Sequence, residues 1–314
     1  MIRSAQPDDT PAIFQLILAL AEYEQLSHQV TGSVAALNEH LFGDRPYIEA
    51  VLAVCDGQPV GFALFFTNYS TFQTQPGLYL EDLFVLPDYR AQGVGKALLS
   101  HLARLAVERQ YGRLAWSVLD WNTPAIGFYQ RIGVNLPDSI RICRIAGDAL
   151  HPLAMQPYTA LRPASPQDIP ALFALARANA EFDQSLHAFV GNPEALAAHL
   201  FGDRPFAEAV VAEQAEQIVG FAIFFFNYST FLTKPGLYIE DLFVLPEFRR
   251  QGIGQALLAY LAQETVRRNC GRLEWLVRIW NEPAIAFYQK MGATVLPDWR
   301  ICLLDQTAIG QLAN

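Results

Sequence analysis

Shifted by 159 residues, the chain falls on itself. "LFGDRP" at 41–46 recurs at 200–205, and "NYSTF" at 68–72 recurs at 227–231. "LYLEDLFVLPDYRAQGVGKALL" at 78–99 returns as "LYIEDLFVLPEFRRQGIGQALL" at 237–258, and Cys143 lands on Cys302. From Arg3 to Gly133 the register needs no gap, and about half of the positions are identical. A repeat of this length is domain-sized, so it specifies two tandem copies of one globular unit and not a solenoid of short stacked units. The 314 residues are enough for two domains with their own cores. Residues 147–159, with Pro152 and Pro157, are expected to be a linker, leaving domains at 1–146 and 160–314.

Within a copy the hydrophobic period changes several times. A helix is expected from Asp8 or Asp9, with Ile13, Leu16, Ile17 and Leu20 on one face, and a second from about Ser33 to Phe42. "YIEAVLAVC", a turn at Asp56-Gly57 and "PVGFALFFTNYSTF" read as a hairpin, and Pro76-Gly77 leads into a third strand, "LYLEDLFVL". Gln92 to Arg109 is helical, with Val94, Ala97, Leu98, Leu102 and Leu105 aligned. "GRLAWSVLD" is a strand, "TPAIGFYQRIG" a short helix and "SIRICRI" a last strand. The expected order β-α-α-β-β-β-α-β-α-β is an α/β (α+β) fold with a mixed sheet.

Composition removes several function classes. The longest apolar stretch, Ile218 to Phe226, is nine residues, against roughly 20 for a membrane-crossing helix. The N-terminus has no basic segment followed by an apolar one, so no signal peptide is expected and the expected location is cytoplasmic. Net charge is −9, divided as −5 over residues 1–148 and −4 over 161–314, which argues against nucleic acid and anionic membranes as partners. Four dispersed cysteines without a Cys-x-x-Cys are expected as free thiols. Six scattered histidines without a His-x-x-x-His pair give no expected metal site.

The chemistry-bearing words sit in the duplicated segment. Arg90-Ala-Gln-Gly93-Val-Gly95, repeated as Arg249-Arg-Gln-Gly252-Ile-Gly254, joins a strand to a helix. Such a loop either makes a simple strand–helix turn or cradles a diphosphate on inward N–H groups and the helix dipole, with the arginine as a fixed cation. It is not a Walker loop, because Arg90 stands where the first glycine is needed and Lys96 becomes Gln255 in the second copy. It is not the dinucleotide fingerprint, because Leu98 occupies the third glycine position. Glu81 and Asp82 are adjacent on a strand, so they are expected on opposite faces and not as a catalytic pair. Glu81 shares its expected face with Tyr79 and Leu83, a setting that raises a carboxylate's pKa. It could deprotonate an amine, or it could be a structural carboxylate bound to an arginine. Tyr129 follows a potential cap, Asn122, by two helical turns, and beside Phe128 it reads either as core or as a proton donor.

"EDLFVLP" followed by Arg-x-x-Gly-x-Gly and then by Trp-Asn-x-Pro-Ala-Ile-x-Phe-Tyr resembles the GNAT superfamily of acetyl-CoA-dependent N-acetyltransferases. More narrowly, "LAEYEQL", "YLEDLFVLPDYR" and "WNTPAIGFYQRIG" resemble the diamine (spermidine/spermine) N-acetyltransferases, over nearly all of each copy. The resemblance implies two tandem GNAT-type domains that transfer acetyl from acetyl-CoA to a primary amine of a small cationic substrate, a diamine or polyamine. Alternatives are another amine, such as a lysine analogue, an amino acid or an aminoglycoside, or one copy as a non-catalytic acetyl-CoA-binding partner. It implies Glu81 and Glu240 as bases and Tyr129 and Tyr288 as acids. Acetyl-CoA would lie along Leu83, Phe84 and Val85, the loop Arg90, Ala91, Gln92, Gly93, Val94, Gly95 and Lys96, and Asn122. In the second copy it would meet Leu242, Phe243, Val244, Arg249, Arg250, Gln251, Gly252, Ile253, Gly254, Gln255 and Asn281. Tyr23, Glu24 and Asp120 would meet the amine. The second copy has Phe182, Asp183, Arg278 and Ile279 in that region, so the first is expected to be the better polyamine site. Because the diamine enzymes are homodimers, the two copies are expected to pair within the chain.

Overall fold

The computed structural model describes residues 1–157 and 160–314; the last two residues of the expected linker, 158 and 159, lie outside the described residues. The first copy runs β1 (Ile2–Ser4), α1 (Thr10–Tyr23), α2 (Val34–Phe42), β2 (Glu49–Cys55), β3 (Gln58–Ser70), β4 (Gln75–Val85), α3 (Val94–Glu108), β5 (Arg113–Leu119), α4 (Thr123–Arg131), β6 (Ile140–Ala146) and α5 (Leu150–Ala154). The second runs β7 (Leu161–Pro163), α6 (Ile169–Phe182), α7 (Pro193–Phe201), β8 (Glu208–Gln214), β9 (Gln217–Ser229), β10 (Lys234–Val244), α8 (Ile253–Arg267), β11 (Arg272–Arg278), α9 (Glu282–Lys290), β12 (Thr294–Leu296), β13 (Trp299–Asp305) and α10 (Gln306–Ala313). Local chemistry sets many of these ends. Ser33 caps α2 by accepting from the Ala36 N–H, and Asn122 and Asn281 cap α4 and α9 in the same way. Asp56 and Gly57 both take positive φ, 48° and 79°, as a two-residue hairpin requires.

The sheets do not follow the sequence repeat. One has the order β1-β2-β3-β4-β5-β13, the other β12-β6-β11-β10-β9-β8-β7. Each copy therefore gives its last strand to the other: β13 pairs antiparallel with β5 from Trp299 opposite Leu119 to Asp305 opposite Arg113. Reciprocally, β6 pairs with β11 from Ile140 opposite Arg278 to Ala146 opposite Arg272. The helix after each exchanged strand goes with it. Leu150 and Leu153 of α5 are buried with Leu257, Leu258 and Leu261 of α8, and Ile309 and Leu312 of α10 are buried with Leu98, Leu99 and Leu102 of α3. The expected linker is thus corrected over its middle: α5 is the counterpart of α10, because Leu150 and Leu153 stand 159 residues before Ile309 and Leu312.

A third core joins the copies, combining Ile13, Ile17 and Leu37 with Leu172, Leu175 and Leu196. Backbone bonds repeat across it, with the N–H groups of Thr31 and Gly32 donating to Phe231 O at 2.9 and 3.0 Å. Those of Val190 and Gly191 donate to Phe72 O at 2.9 Å each. Burying this apolar surface excludes water from the seam beside which the functional residues lie.

Candidate active site

Strand β4 pairs in parallel with β5 only where Leu78–Leu80 meet Leu114–Trp116, and β10 pairs with β11 only where Leu237–Ile239 meet Leu273–Trp275. Beyond those three residues the strands part, leaving Leu83–Val85 and Leu242–Val244 without a neighbour on that side. Unpaired backbone groups along such a cleft can bind an extended amide-bearing ligand. Opposite β3, the ladder of β4 skips one residue: Leu80 faces Phe65 and Asp82 faces Leu64, which leaves Glu81 as a bulge. Glu240 is the bulge in β10. The extra residue breaks strict alternation at Glu81, and Glu81 and Asp82 both line one cavity.

The strand leads into the glycine loop. Gly93 takes φ of 83° as N-cap of the 15-residue helix α3, and no side chain caps that end. A Cβ added at Gly93 or Gly95 would meet no atom within 4 Å, so the space in front of the first helical N–H groups is open. Gly252, with φ of 83°, and α8 repeat the arrangement. An uncapped helix start behind an open glycine loop fits a diphosphate. The arginines are more constrained than free cations would be. Arg90 Nε donates to Val85 O at 2.8 Å and its guanidinium lies 4.6 Å from the Tyr23 ring centre; Arg249 does the same with Val244 O and Phe182. They fasten the loop to α1 and α6.

Each copy holds a cavity of about 980 Å³. The first is lined by Glu81, Tyr129, Tyr23, Glu24 and every expected cofactor residue of that copy except Gln92, whose side chain turns back to Asp88 O. Asp120 is exposed and lies outside the lining. The second is lined by Glu240, Tyr288 and the expected cofactor residues other than Gln251 and Ile253. Asn122 serves locally, accepting from Ala125 N at 3.3 Å and from Tyr23 Oη at 3.1 Å.

Burial dominates the electrostatics. Desolvation raises the pKa of Glu81, opposed by the guanidinium of Arg272, whose Nη2 lies 3.1 Å from Oε1. Glu24 is pushed up to about 7 by burial and then by the charge of Glu81, and Asp82 is raised for the same reasons. In the second copy burial and then Glu240 bring Asp241 to about 7. Buried Tyr129 and Tyr288 are raised above the usual phenol range, and their rings meet Trp116 and Trp275 edge to face at 5.0 and 4.9 Å. A phenol so placed keeps its proton for a developing anion.

The sequence reading missed the residues that cross the seam. Arg272 and Glu274 of β11 and Arg144 of β6 line the first cavity, and Arg113 of β5 lines the second, 3.2 Å from Glu240. The available signal was a buried-strand arginine kept in both copies, in "GRLAW" and "GRLEW". Among the described residues no cluster of His, Cys, Asp and Glu could hold a metal, and no helix is long and apolar enough to cross a membrane.

The sequence model of the acetyltransferase (GNAT) family matches residues 15–134 and again 172–293. The L-ornithine N5-acetyltransferase of Arabidopsis thaliana is 32% identical over 203 residues, covering 50% of this chain and 89% of that protein. The thialysine N-epsilon-acetyltransferase of Bos taurus is 36% identical over 165 residues, covering 49% and 96%. A tandem GNAT protein from the clavulanic acid biosynthesis pathway shares the fold across 98% of both chains, with a TM-score of 0.53 and 14% identity. A GCN5-related N-acetyltransferase from Sphaerobacter thermophilus does so over 98% of this chain and 95% of its own, with a TM-score of 0.55 and 20% identity. With two matches that together span most of its length, the chain belongs to the GNAT acetyltransferase family and is an N-acetyltransferase built from two tandem domains.

Proposed function

We propose that the protein transfers acetyl from acetyl-CoA to a primary amine of a small diamine or polyamine, with the first copy as the principal site for that substrate. The observation that carries this reading is the meeting, in one cavity, of an open glycine loop, a parted strand edge and a buried glutamate on a bulge. The loop and the N-terminus of α3 would hold the diphosphate, and Leu83–Val85 the amide-bearing arm. Bound acetyl-CoA supplies the acetyl group as an activated thioester.

The residues of the chain do the proton work. An alkylammonium, with a pKa near 10, must lose a proton before its nitrogen can attack. Glu81 accepts it, and its raised pKa makes it a better base than an exposed carboxylate. Tyr129 carries a proton for the sulfur that leaves. Glu240 and Tyr288 have the same parts in the second copy. Glu24 and Asp82 offer carboxylates to a second ammonium, and among the described residues no cation pairs with Glu24. The curated relatives named for ornithine and thialysine acetylation, and the human spermidine/spermine N(1)-acetyltransferase-like protein 1 (32% identical over 139 residues, covering 42% of this chain and 20% of that one), support a substrate with two separated nitrogens. The shared core supports pairing of the copies inside one chain, as expected from dimeric relatives.

The test is release of the CoA thiol from acetyl-CoA against putrescine, spermidine, spermine, ornithine, thialysine and an aminoglycoside. Turnover on the diamines and polyamines is expected. Turnover confined to amino acids or to the aminoglycoside would replace the substrate class, and acetyl-CoA binding without turnover would remove the enzymatic reading.

A further inference from the structure

We propose that the two sites are wired crosswise, each copy holding the other's catalytic glutamate in place through one buried arginine: Arg272 positions Glu81, and Arg113 positions Glu240. The inference rests on the glutamates being the bases. The side chain of Arg272 is 8% exposed, and its Nη2 is shared between Glu81 Oε1 at 3.1 Å and Tyr228 O at 2.6 Å. Arg113 reaches Glu240 Oε2 at 3.2 Å while its Nη2 donates to Tyr69 O. Each arginine opens the strand next to its own copy's bulge, yet reaches across to the opposite copy's glutamate; Arg272 also pairs with Glu274 of its own strand at 3.3 Å.

The fold makes room for this. Gly77 and Gly236 sit in the strands that the arginine stems cross. A Cβ at Gly77 would come within 2.6 Å of Arg113 Cγ, and one at Gly236 within 2.9 Å of Arg272 Cγ. A buried guanidinium is costly unless paired and hydrogen-bonded. Here a carbonyl fixes its place and carboxylates neutralise it: Glu240 at Arg113, and Glu81 together with Glu274 at Arg272. The glutamate's other oxygen is left for the substrate proton, and its carboxylate stays ionised in a desolvated cavity. Arg272 and Arg113 touch neither substrate nor acetyl-CoA in this scheme, so they are positioning residues.

The groups that bear on each glutamate come from several elements. Around Glu81 they are Arg272 and Glu274 of β11, Arg144 of β6, Asp82 and Tyr79 of β4, Glu24 at the C-terminal end of α1 and Tyr228 of β9. Around Glu240 they are Arg113 of β5, Asp241 and Tyr238 of β10 and Tyr69 of β3. Arg272 is the leading cation near Glu81, and Arg113 is the one ion-paired to Glu240.

The experiment uses the full chain with one base removed. In Glu240→Gln, turnover comes from the Glu81 site. There Arg272→Met is expected to move the acidic limb of kcat/KM upward by about 1 pH unit or more, with a fall in kcat, while Arg272→Lys restores most of the limb. In Glu81→Gln, Arg113→Met is expected to lower kcat at the Glu240 site, with Arg113→Lys restoring most of it. The opposite pairing, with Arg113→Met moving the limb in Glu240→Gln, overturns the proposal, as do equal effects on both sites. If a methionine variant fails to fold, the lysine variant reads the same pairing through a smaller shift. A second readout keeps this separate from the reaction: the 13C-labelled carboxyl of Glu81, followed by NMR, should titrate at higher pH in Arg272→Met even if Glu81 proves not to be the base. An unmoved Glu81 titration would overturn the crosswise wiring while leaving the acetyltransferase reading intact.

Discussion

The two cavities have equal volume and matching glycine loops, bulged glutamates and buried tyrosines, but they differ around Glu24 and its counterpart Asp183. In the first copy Glu24 is half-buried, and the positions that differ in the second copy hold Leu119, Leu26 and Leu20. In the second those positions hold Arg278, Ser185 and Asn179, and Asp183 stands for Glu24. Arg278 grips Asp183 with three contacts of 2.8 to 3.1 Å and donates to Ser185 Oγ at 3.0 Å, while Asn179 donates to Asp241 at 2.7 Å. The second copy has therefore tied up Asp183 and one oxygen of Asp241 internally, whereas among the described residues no cation pairs with Glu24 in the first. Below the bases the asymmetry reverses. Arg272 is linked through Glu274 to Arg144, whereas the matching positions at Arg113 are the apolar Ala115 and Leu303. Duplication kept the glycine loops, bulged glutamates and tyrosines alike and let the residues around Glu24 and Asp183 drift apart.

The sharpest way to break this contrast is to remove one base at a time. Glu81→Gln is expected to lower polyamine turnover by roughly 10²–10⁴-fold, and Glu240→Gln to cost far less of it, measured as thiol release. Equal losses would mean that the two sites share the substrate. A second test exploits the strand exchange. Leu304 is 1% exposed and lies in the core of the first sheet, although it belongs to the second repeat. Leu304→Ala is expected to cost about 2–5 kcal/mol and to speed amide exchange in α3 before α8, read by hydrogen exchange. Ile145→Ala, its counterpart, should reverse that order.

Smaller effects bear on recognition. With the first base removed by Glu81→Gln, Arg278→Leu should free Asp183 and lower the second site's KM for spermidine about 10-fold, since a charge-assisted contact of about 1.4 kcal/mol is worth that factor. No change would show that the Asp183–Arg278 pair does not set the selectivity. The smallest expected effect is in pH. Glu24 is raised to about 7, so below that pH it is protonated and offers an ammonium no charge. The first site's KM for a diamine should rise a few-fold from pH 8 to pH 6, and Glu24→Gln should raise KM at pH 8 and flatten the profile.

Much of the architecture was legible in the residues. The 159-residue repeat, the order of strands and helices and the glycine loops could all be read because period, capping residues and spacing are local signals. What escaped were features in which two structures have the same local pattern. β6, which covers most of "SIRICRI", keeps with β11 the register that β13 keeps with β5, and nothing in its apolar alternation says which copy it joins. The bulge at Glu81 leaves no mark in the residues of its strand, so the break in strict alternation there could not be read. Arg113 and Arg272 were visible as letters, but their partners lie 127 and 191 residues away.

The exchanged strands also govern how the chain can be made. During synthesis the first sheet presents β5 as a bare edge until β13, nearly two hundred residues later, has left the ribosome and can be added. An unfinished edge of this kind invites pairing with a neighbouring nascent chain, and long-range closure is slow. The unit of completion is thus the whole duplicated polypeptide, since in the finished fold each half's last strand lies in the other half's sheet.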